Sequence, residues 1–182
     1  MIRIVAGKYR HRIINIPEDR EHIRPTKDRI REAIFSALGD ITNFVILDLY
    51  AGSGAMGLEA LSRNAKKCYF VDINETSIKT IKSNLSLLKI DSNEYQIFKK
   101  KDLDALDEFK ENNLYFDIIF VDPPYALGEY DRILDNIFKK DILGKKGIIV
   151  LESNRSLNID VTLFSKIKTY QYGDIIVTIC WR

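Results

Sequence analysis

The most specific chemical signal in the sequence is Asp122-Pro123-Pro124-Tyr125, which follows the predicted strand 117–121. Two consecutive prolines remove two backbone donors and fix φ, which leaves rigid carbonyl acceptors beside a carboxylate and an aromatic ring. Asp122 and the carbonyl of Pro123 suit the N–H bonds of an exocyclic amine, while Tyr125 suits stacking on a planar base. Accepting both N–H bonds frees the nitrogen lone pair for attack and so stabilises the transition state. We therefore expect residues 122–125 to be catalytic.

A second signal lies at residues 44–57, FVILDLYAGSGAMG. The uninterrupted apolar run at its start is typical of a strand buried on both faces of a parallel sheet. Gly52, Gly54 and Gly57 then fit the pattern G-x-G-x-x-G, whose glycines permit a tight turn and a close approach of a ligand to the backbone. The stretch predicts a strand, a turn and a helix that together cradle a cofactor, although many doubly wound folds share this motif.

Acidic residues follow successive predicted strands. Asp48, Asp72 and Asp102 each stand at or just behind the end of an apolar run. Gly52 and Asp72 lie 20 positions apart, the spacing at which an acid binds ribose hydroxyls. The carboxyl ends of parallel strands form one edge of a sheet, so we expect these acids to share a ligand site there.

The elements that position these residues alternate between strand and helix patterns. Strands are predicted at residues 44–49, 67–71, 95–98, 117–121, 147–151, 166–170 and 175–180. Helices are predicted from residue 58, at 75–89, at 103–110 and at 130–138. This order predicts an α/β, doubly wound, Rossmann-like fold with a seven-stranded, mostly parallel sheet and an antiparallel C-terminal strand.

The N-terminal part has its own pattern. The runs 2–6 and 12–16 predict a hairpin, and Thr26 is placed to cap a helix that ends near Leu38. Residues 1–31 hold nine Lys or Arg against four acids, whereas the whole chain has a net charge of only +2. Such asymmetry predicts contacts with the phosphates of a polyanion. The candidate cations are Lys8, Arg10, Arg12, Arg24, Lys27, Arg29 and Arg31.

Length and composition restrict the class of protein. A chain of 182 residues that is 46% hydrophobic is expected to form one globular domain. No apolar stretch approaches the length of a membrane span, so we expect a cytoplasmic protein that does not bind a membrane. Cys68 and Cys180 are too few for a disulfide framework or a zinc site, and we expect two reduced thiols.

The motifs together resemble a known family. DLYAGSGAMGLEA, YFVDIN, KKDLDAL and DPPY resemble the class I S-adenosylmethionine-dependent methyltransferases that methylate amines. The N-terminal segments RIVAGKYRHRIINIP and RPTKDRIREAIFSAL are similar to the bacterial RsmD family, which methylates a guanine N2 of 16S rRNA. The match spans nearly the whole chain in the right order. It implies one methyltransferase domain over residues 1–182, in which residues 1–40 form an RNA-binding extension.

The resemblance also implies a role for each motif. Asp48 and the glycine turn would lie along the methionine part of S-adenosylmethionine, Asp72 would bind ribose and Asp102 would lie near the adenine amine. The implied cofactor-binding residues are Asp48, Tyr50, Ala51, Gly52, Ser53, Gly54, Gly57, Asp72, Ile73 and Asp102. Residues 122–125 would hold the guanine. S-adenosylhomocysteine would be the product, no metal would be needed, and a monomer would act on small-subunit rRNA or its assembly particle.

Three alternatives remain open from the sequence. The motif DPPY also resembles that of adenine-N6 DNA methyltransferases and does not separate the two bases. The glycine pattern and Asp72 also satisfy the fingerprint of a nucleotide-dependent oxidoreductase, although Asp48 beside the turn would repel a pyrophosphate. A non-catalytic RNA-binding protein with the same fold is the third alternative.

Overall fold

The computed structural model describes residues 2–18, 28–124 and 130–182. The strands are β1 (Ile2–Arg3), β2 (Ile13–Ile14), β3 (Val45–Leu49), β4 (Lys67–Asp72), β5 (Tyr95–Lys99), β6 (Phe116–Val121), β7 (Leu143–Ser153), β8 (Lys166–Tyr172) and β9 (Ile175–Trp181). The α-helices are α1 (Asp28–Leu38), α2 (Ala55–Ser62), α3 (Glu75–Leu88), α4 (Asp102–Glu111) and α5 (Tyr130–Lys139). None of these helices is long and apolar enough to cross a lipid bilayer.

The main sheet has seven strands in the order β5-β4-β3-β6-β7-β9-β8. The first five strands in this order pair in parallel, and β9 is antiparallel to both of its neighbours. The predicted fold class is therefore confirmed. The chain order reverses on either side of β3, and in open α/β sheets ligands bind at the carboxyl ends of the strands flanking such a point.

Side chains of the central strands alternate between two buried faces. We call the side that packs on α1, α2 and α3 the first face and the side that packs on α4 and α5 the second face. First-face residues are Ile46, Cys68, Phe70, Ile118, Phe120, Ile148 and Val150, which join Ile34, Leu58 and Ile81 of the helices. Second-face residues are Leu47, Leu49, Val71, Ile119, Val121, Ile149 and Leu151, which join Leu106 and Ile133. Strands buried on both sides explain the uninterrupted apolar runs of the sequence.

The N-terminal hairpin packs into the same core as the sheet. Ile2 pairs with Ile14, and both are buried on the first face. The hairpin strands are shorter than predicted, and the loop between them forms hydrogen bonds both within itself and to α2. The buried carboxylate of Glu59 accepts the backbone N–H groups of Val5 at 2.7 Å and Ala6 at 3.0 Å. The expected hairpin and the helix α1 are thus present, but they do not form a separate core.

Candidate active site

The carboxyl edge of the sheet gathers residues from four strands. Leu49 pairs with Val71 on one side and with Val121 on the other, and Val121 pairs with Leu151. The residues that follow these pairs are Tyr50, Asp72, Asp122 and Glu152. They form one row, so the glycine turn after β3 and the Asp-Pro-Pro segment after β6 are neighbours. The site predicted from separate motifs is therefore brought together by the sheet.

Each glycine of the turn after β3 meets a separate constraint. Gly52 and Gly54 have φ values of 56° and 78°, in the left-handed region that favours glycine. Gly57 lies inside α2, where an added Cβ would lie 2.3 Å from Cε1 of Phe70 and 2.5 Å from the sulfur of Cys68. The first two glycines therefore shape the turn, and the third lets the helix pack closely on β4.

Asp72 supports the turn from the end of β4. Its Oδ2 accepts the backbone N–H of Gly52 at 2.9 Å, and its Oδ1 accepts that of Asn74 at 2.8 Å. A carboxylate oxygen has capacity for more than one hydrogen bond, so these contacts are compatible with the predicted ribose hydroxyls. The adjacent Ile73 leaves 53% of its surface exposed, which provides an apolar surface at the same edge.

Asp48 lies beneath the turn rather than at its rim. It is part of β3, is 4% exposed, and its Oδ2 accepts the N–H of Gly57 at 2.9 Å. Burial raises the pKa of this carboxyl to about 7, although the Gly57 hydrogen bond opposes the shift. Its expected repulsion of a pyrophosphate is weaker than that of a fully ionised acid. The predicted contact of Asp48 with a cofactor stays a prediction.

Asp102 joins two side chains from other elements. Its Oδ2 accepts the hydroxyl of Tyr50 and the guanidinium of Arg132, each at 2.7 Å. Tyr50 has a φ of 68°, which turns the chain sharply at the end of β3. The sequence did not indicate Arg132, because its contact exists only where α4 and α5 lie side by side. The network connects the start of α5 to the predicted adenine side of the site.

The segment after β6 combines exposed and buried residues. Asp122 and Pro124 are exposed, whereas Pro123 is buried, and Tyr125 lies outside the described residues. Tyr130 begins α5, and its hydroxyl donates to the backbone oxygen of Glu152 at 2.7 Å. Burial raises the pKa of the Tyr130 phenol, and the charges of Asp122 and Glu152 raise it further. Glu152 follows an apolar run just as Asp72 does, and this signal was missed.

The geometry agrees with comparisons to known proteins. Residues 2–181 match the family model described as "Conserved hypothetical protein 95". The chain is 34% identical to "Ribosomal RNA small subunit methyltransferase D" of Haemophilus influenzae, over 85% of this chain and 79% of that protein. The chain belongs to the RsmD-type methyltransferase family. It is also 32% identical to the "Putative rRNA methyltransferase YlbH" of Bacillus subtilis, over 97% of this chain and 91% of that protein.

A solved structure supports membership of the RsmD family. The "Putative methyltransferase yhhF" of Escherichia coli superposes with a TM-score of 0.83 and is 27% identical. The superposition covers 100% of this chain and 97% of that chain. The superposed region therefore includes the N-terminal hairpin and α1 as well as the main sheet.

The N-terminal cations of this RsmD-family chain occupy different environments. Arg10, Arg12 and Arg29 are exposed, although Arg12 also donates to the backbone oxygen of Leu87 at 3.1 Å. The ammonium of Lys8 lies 2.7 Å from Glu94. Arg24 and Lys27 lie outside the described residues.

The prediction that Arg31 contacts RNA phosphates is wrong for this structure. The side chain is 0% exposed, and its guanidinium donates to the backbone oxygen of Arg3 and, at 2.9 Å, to Asp28. Arg31 precedes Ile34 and Phe35 by three and four positions, so it lies on the buried face of α1. It fixes β1 to α1 instead of facing solvent.

Proposed function

We propose that the chain transfers a methyl group from S-adenosylmethionine to the exocyclic N2 of a guanine in small-subunit rRNA. The observation that carries this proposal is the register of Leu49 with Val121, which places the glycine turn beside Asp122-Pro123-Pro124. A cofactor at the first segment and an amine at the second would then meet at one sheet edge. The name of the Haemophilus influenzae relative supports small-subunit rRNA as the substrate.

The residues present fit S-adenosylmethionine. Gly52 and Gly54 shape the turn through their left-handed φ values, and Asp72 supplies acceptors for ribose hydroxyls. Ile73 offers its exposed apolar side chain to an adenine ring, with Asp102 at the start of α4. The acidic row at this edge favours a ligand that carries an ammonium and a sulfonium over one that carries a pyrophosphate. The bound cofactor supplies a methyl carbon activated by positive sulfur.

The Asp-Pro-Pro segment positions the amine. The carboxylate of Asp122 and the carbonyl of Pro123 accept the two N–H bonds, which leaves the nitrogen lone pair directed at the methyl carbon. A new C–N bond forms as the C–S bond breaks, the bonding pair goes to sulfur, and the amine loses one proton to water. Fixed proline geometry contributes by holding the two reacting atoms in line.

The N-terminal segment is proposed to bind the RNA backbone. Arg10, Arg12 and Arg29 are exposed cations that can reach phosphates, and Lys8 can join them by exchanging its ion pair with Glu94. The target base leaves its stack to enter the site, where Tyr125 is proposed to stack on it. In this proposal residues 1–40 act as the RNA-binding part of a single methyltransferase domain.

A labelling experiment tests the reaction. Labelled S-adenosylmethionine is incubated separately with small-subunit particles, naked rRNA and DNA, and the nucleosides are then analysed. We expect label in N2-methylguanine. Label in N6-methyladenine would replace guanine by adenine as the target, and no transfer to any substrate would favour a binding protein without catalysis.

A variant of the Asp-Pro-Pro segment tests the division of roles. Asp122→Ala should keep its affinity for S-adenosylhomocysteine but lose at least about 100-fold in turnover, since one preorganised acceptor is removed. Asp174→Ala, an exposed position in the turn between β8 and β9, serves as the matched control. Loss of S-adenosylhomocysteine binding by Asp122→Ala would contradict the proposal that the glycine turn binds the cofactor and the Asp-Pro-Pro segment binds the amine.

A further inference from the structure

Glu152 is a buried acid at the candidate site that the proposed mechanism does not use. It is 6% exposed and stands near the end of β7. The pair Val121–Leu151 places Asp122 and Glu152 next to each other on adjacent parallel strands. Backbones of neighbouring strands lie about 4.8 Å apart, so the two carboxylates start from neighbouring points at one edge.

The two carboxylates also leave the sheet on the same side. Ile118 and Phe120 of β6 and Ile148 and Val150 of β7 all pack on the first face. Side chains on a strand alternate with a period of two, so Glu152 and the residue that continues β6, Asp122, are directed to that face. Asp72 belongs to the same face by the same alternation, after Cys68 and Phe70. Glu152 therefore extends toward the side on which the amine would be methylated.

Tyr130 fixes this corner of the site. Its hydroxyl donates to the backbone oxygen of Glu152 at 2.7 Å, and the phenol lies in the electrostatic field of both Glu152 and Asp122. Groups from β6, β7 and α5 thus converge directly beside the Asp-Pro-Pro segment. A buried acid held in place at this point is a candidate to recognise the base.

Guanine and adenine differ in the hydrogen-bonding groups that such an acid would contact. Guanine presents two neighbouring donor groups, the N1–H and the N2 amine. Adenine presents its N6 amine between two ring nitrogens, N1 and N7, which are acceptors. An ionised carboxylate accepts hydrogen bonds and donates none, so it pairs with the N1–H of guanine and repels the lone pair on N1 of adenine. A polar group left unpaired in a closed site gives strong discrimination.

We propose that Glu152 is a specificity-determining residue that accepts the N1–H of guanine while Asp122 and Pro123 accept the N2 amine. This inference rests on the proposed function and extends it, because Asp122-Pro123-Pro124 recognises an amine without distinguishing the base that carries it. Glu152 supplies the second half of the recognition. The carboxylates of Asp122 and Glu152 together accept hydrogen bonds from two adjacent donors, the N2 amine and the N1–H of guanine. Adenine does not have two adjacent donors.

The test uses small-subunit RNA in which the target guanine is replaced by 2-aminopurine. This base keeps the amine on C2 but carries an acceptor at N1. We expect the wild-type protein to prefer guanine by at least about 100-fold in kcat/KM. Glu152→Gln, whose amide can donate to N1, should reduce that preference by roughly 10-fold or more, which corresponds to about 1.4 kcal/mol. Glu111→Gln, at an exposed position on α4, should leave both values unchanged.

The outcomes separate this inference from the proposed function. Equal use of the two bases by the wild-type protein would overturn the inference without any variant. An unchanged preference in folded Glu152→Gln, with normal S-adenosylhomocysteine affinity, would also overturn it while guanine methylation stands. If Glu152→Gln does not fold, Glu152→Asp keeps an acceptor and should retain the preference for guanine, and its loss would contradict the inference. Absence of transfer to guanine by the wild type would overturn the proposed function itself.

Discussion

The side chain of Asn84 connects Asn15 to Ser53. Asn84 is a buried residue of α3 whose Oδ1 accepts the backbone N–H of Asn15 at 2.7 Å. Its Nδ2 donates to the backbone oxygens of Asn15 and Ser53, each at 3.0 Å. One amide therefore holds the N-terminal segment and the glycine turn in a fixed relation. The proposed RNA-binding and cofactor-binding parts of the chain share this anchor.

Asn84→Ala should weaken both the fold and the glycine turn. Removal of the amide leaves one N–H and two carbonyl groups without this partner, and we expect a loss of about 1 to 3 kcal/mol in the free energy of unfolding. Affinity for S-adenosylhomocysteine should fall as well, because Ser53 lies in the turn. Urea unfolding and titration calorimetry measure the two effects. Asn112→Ala, an exposed position whose amide bonds to the backbone of its own helix, is the control. Equal effects of the two variants would contradict a special role for Asn84.

Gly57→Ala tests the close packing of α2 on β4. The added methyl group would lie within 2.5 Å of Phe70 and Cys68, so the helix must move away from the strand. We expect a loss of about 1 to 3 kcal/mol in stability and weaker binding of S-adenosylhomocysteine, since the same helix begins at the turn. Gly173→Ala, with no atom within 4 Å but a φ of +65°, measures backbone strain without a clash. If Gly173→Ala impaired cofactor binding as much as Gly57→Ala, packing of α2 would not be the cause.

Local sequence patterns predicted the sheet and the two loops that build the site. Apolar runs such as 118–121 marked the buried strands, and glycines and prolines marked the turns at their ends. These signals are local, because strand burial and turn geometry depend on a few adjacent residues. The sequence therefore places Asp122 and Gly52 just behind the ends of β6 and β3, whereas Gly57, which it assigns to the turn, lies inside α2.

Contacts between distant elements could not be predicted in the same way. Arg132 meets Asp102 because α5 packs beside α4, and Glu152 lies beside Asp122 because β7 pairs with β6. The prediction that Arg31 contacts RNA was wrong for another reason. A charged residue within a cluster of cations is expected to be exposed, and only the spacing of Arg31 to Ile34 indicated a buried face. Long-range pairing and desolvation decide these cases, and a single sequence shows neither directly.

The exposed and buried cations of the N-terminal segment should behave differently toward RNA. The slope of log affinity against log salt is negative, and combined Arg10→Ala and Arg29→Ala should make it shallower by roughly 1.5, because two phosphate contacts are lost. Arg31→Lys should instead lower stability, since lysine cannot reproduce the forked contacts to Arg3 and Asp28, and should leave the slope unchanged. Filter binding over a series of salt concentrations, with thermal unfolding alongside, distinguishes the two. A shallower salt dependence of RNA affinity for Arg31→Lys, with unaltered stability, would show that Arg31 contacts RNA.

The buried carboxyl of Asp48 should make stability depend on pH. Burial raises its pKa from 3.8 to about 7, so between these values the folded protein keeps a proton that the unfolded chain releases. Stability contributed by this group is therefore present at about pH 4 and is lost as the pH rises through about 7, by an amount on the order of 1 to 4 kcal/mol.

Asp48→Asn keeps an acceptor for the N–H of Gly57 but does not titrate. Its free energy of unfolding, relative to that of the wild type, should thus be more favourable at pH 8 than at pH 5. Urea unfolding at the two pH values gives this difference, with the exposed Asp174→Asn as the control; a difference independent of pH would mean that Asp48 is already ionised in the folded protein.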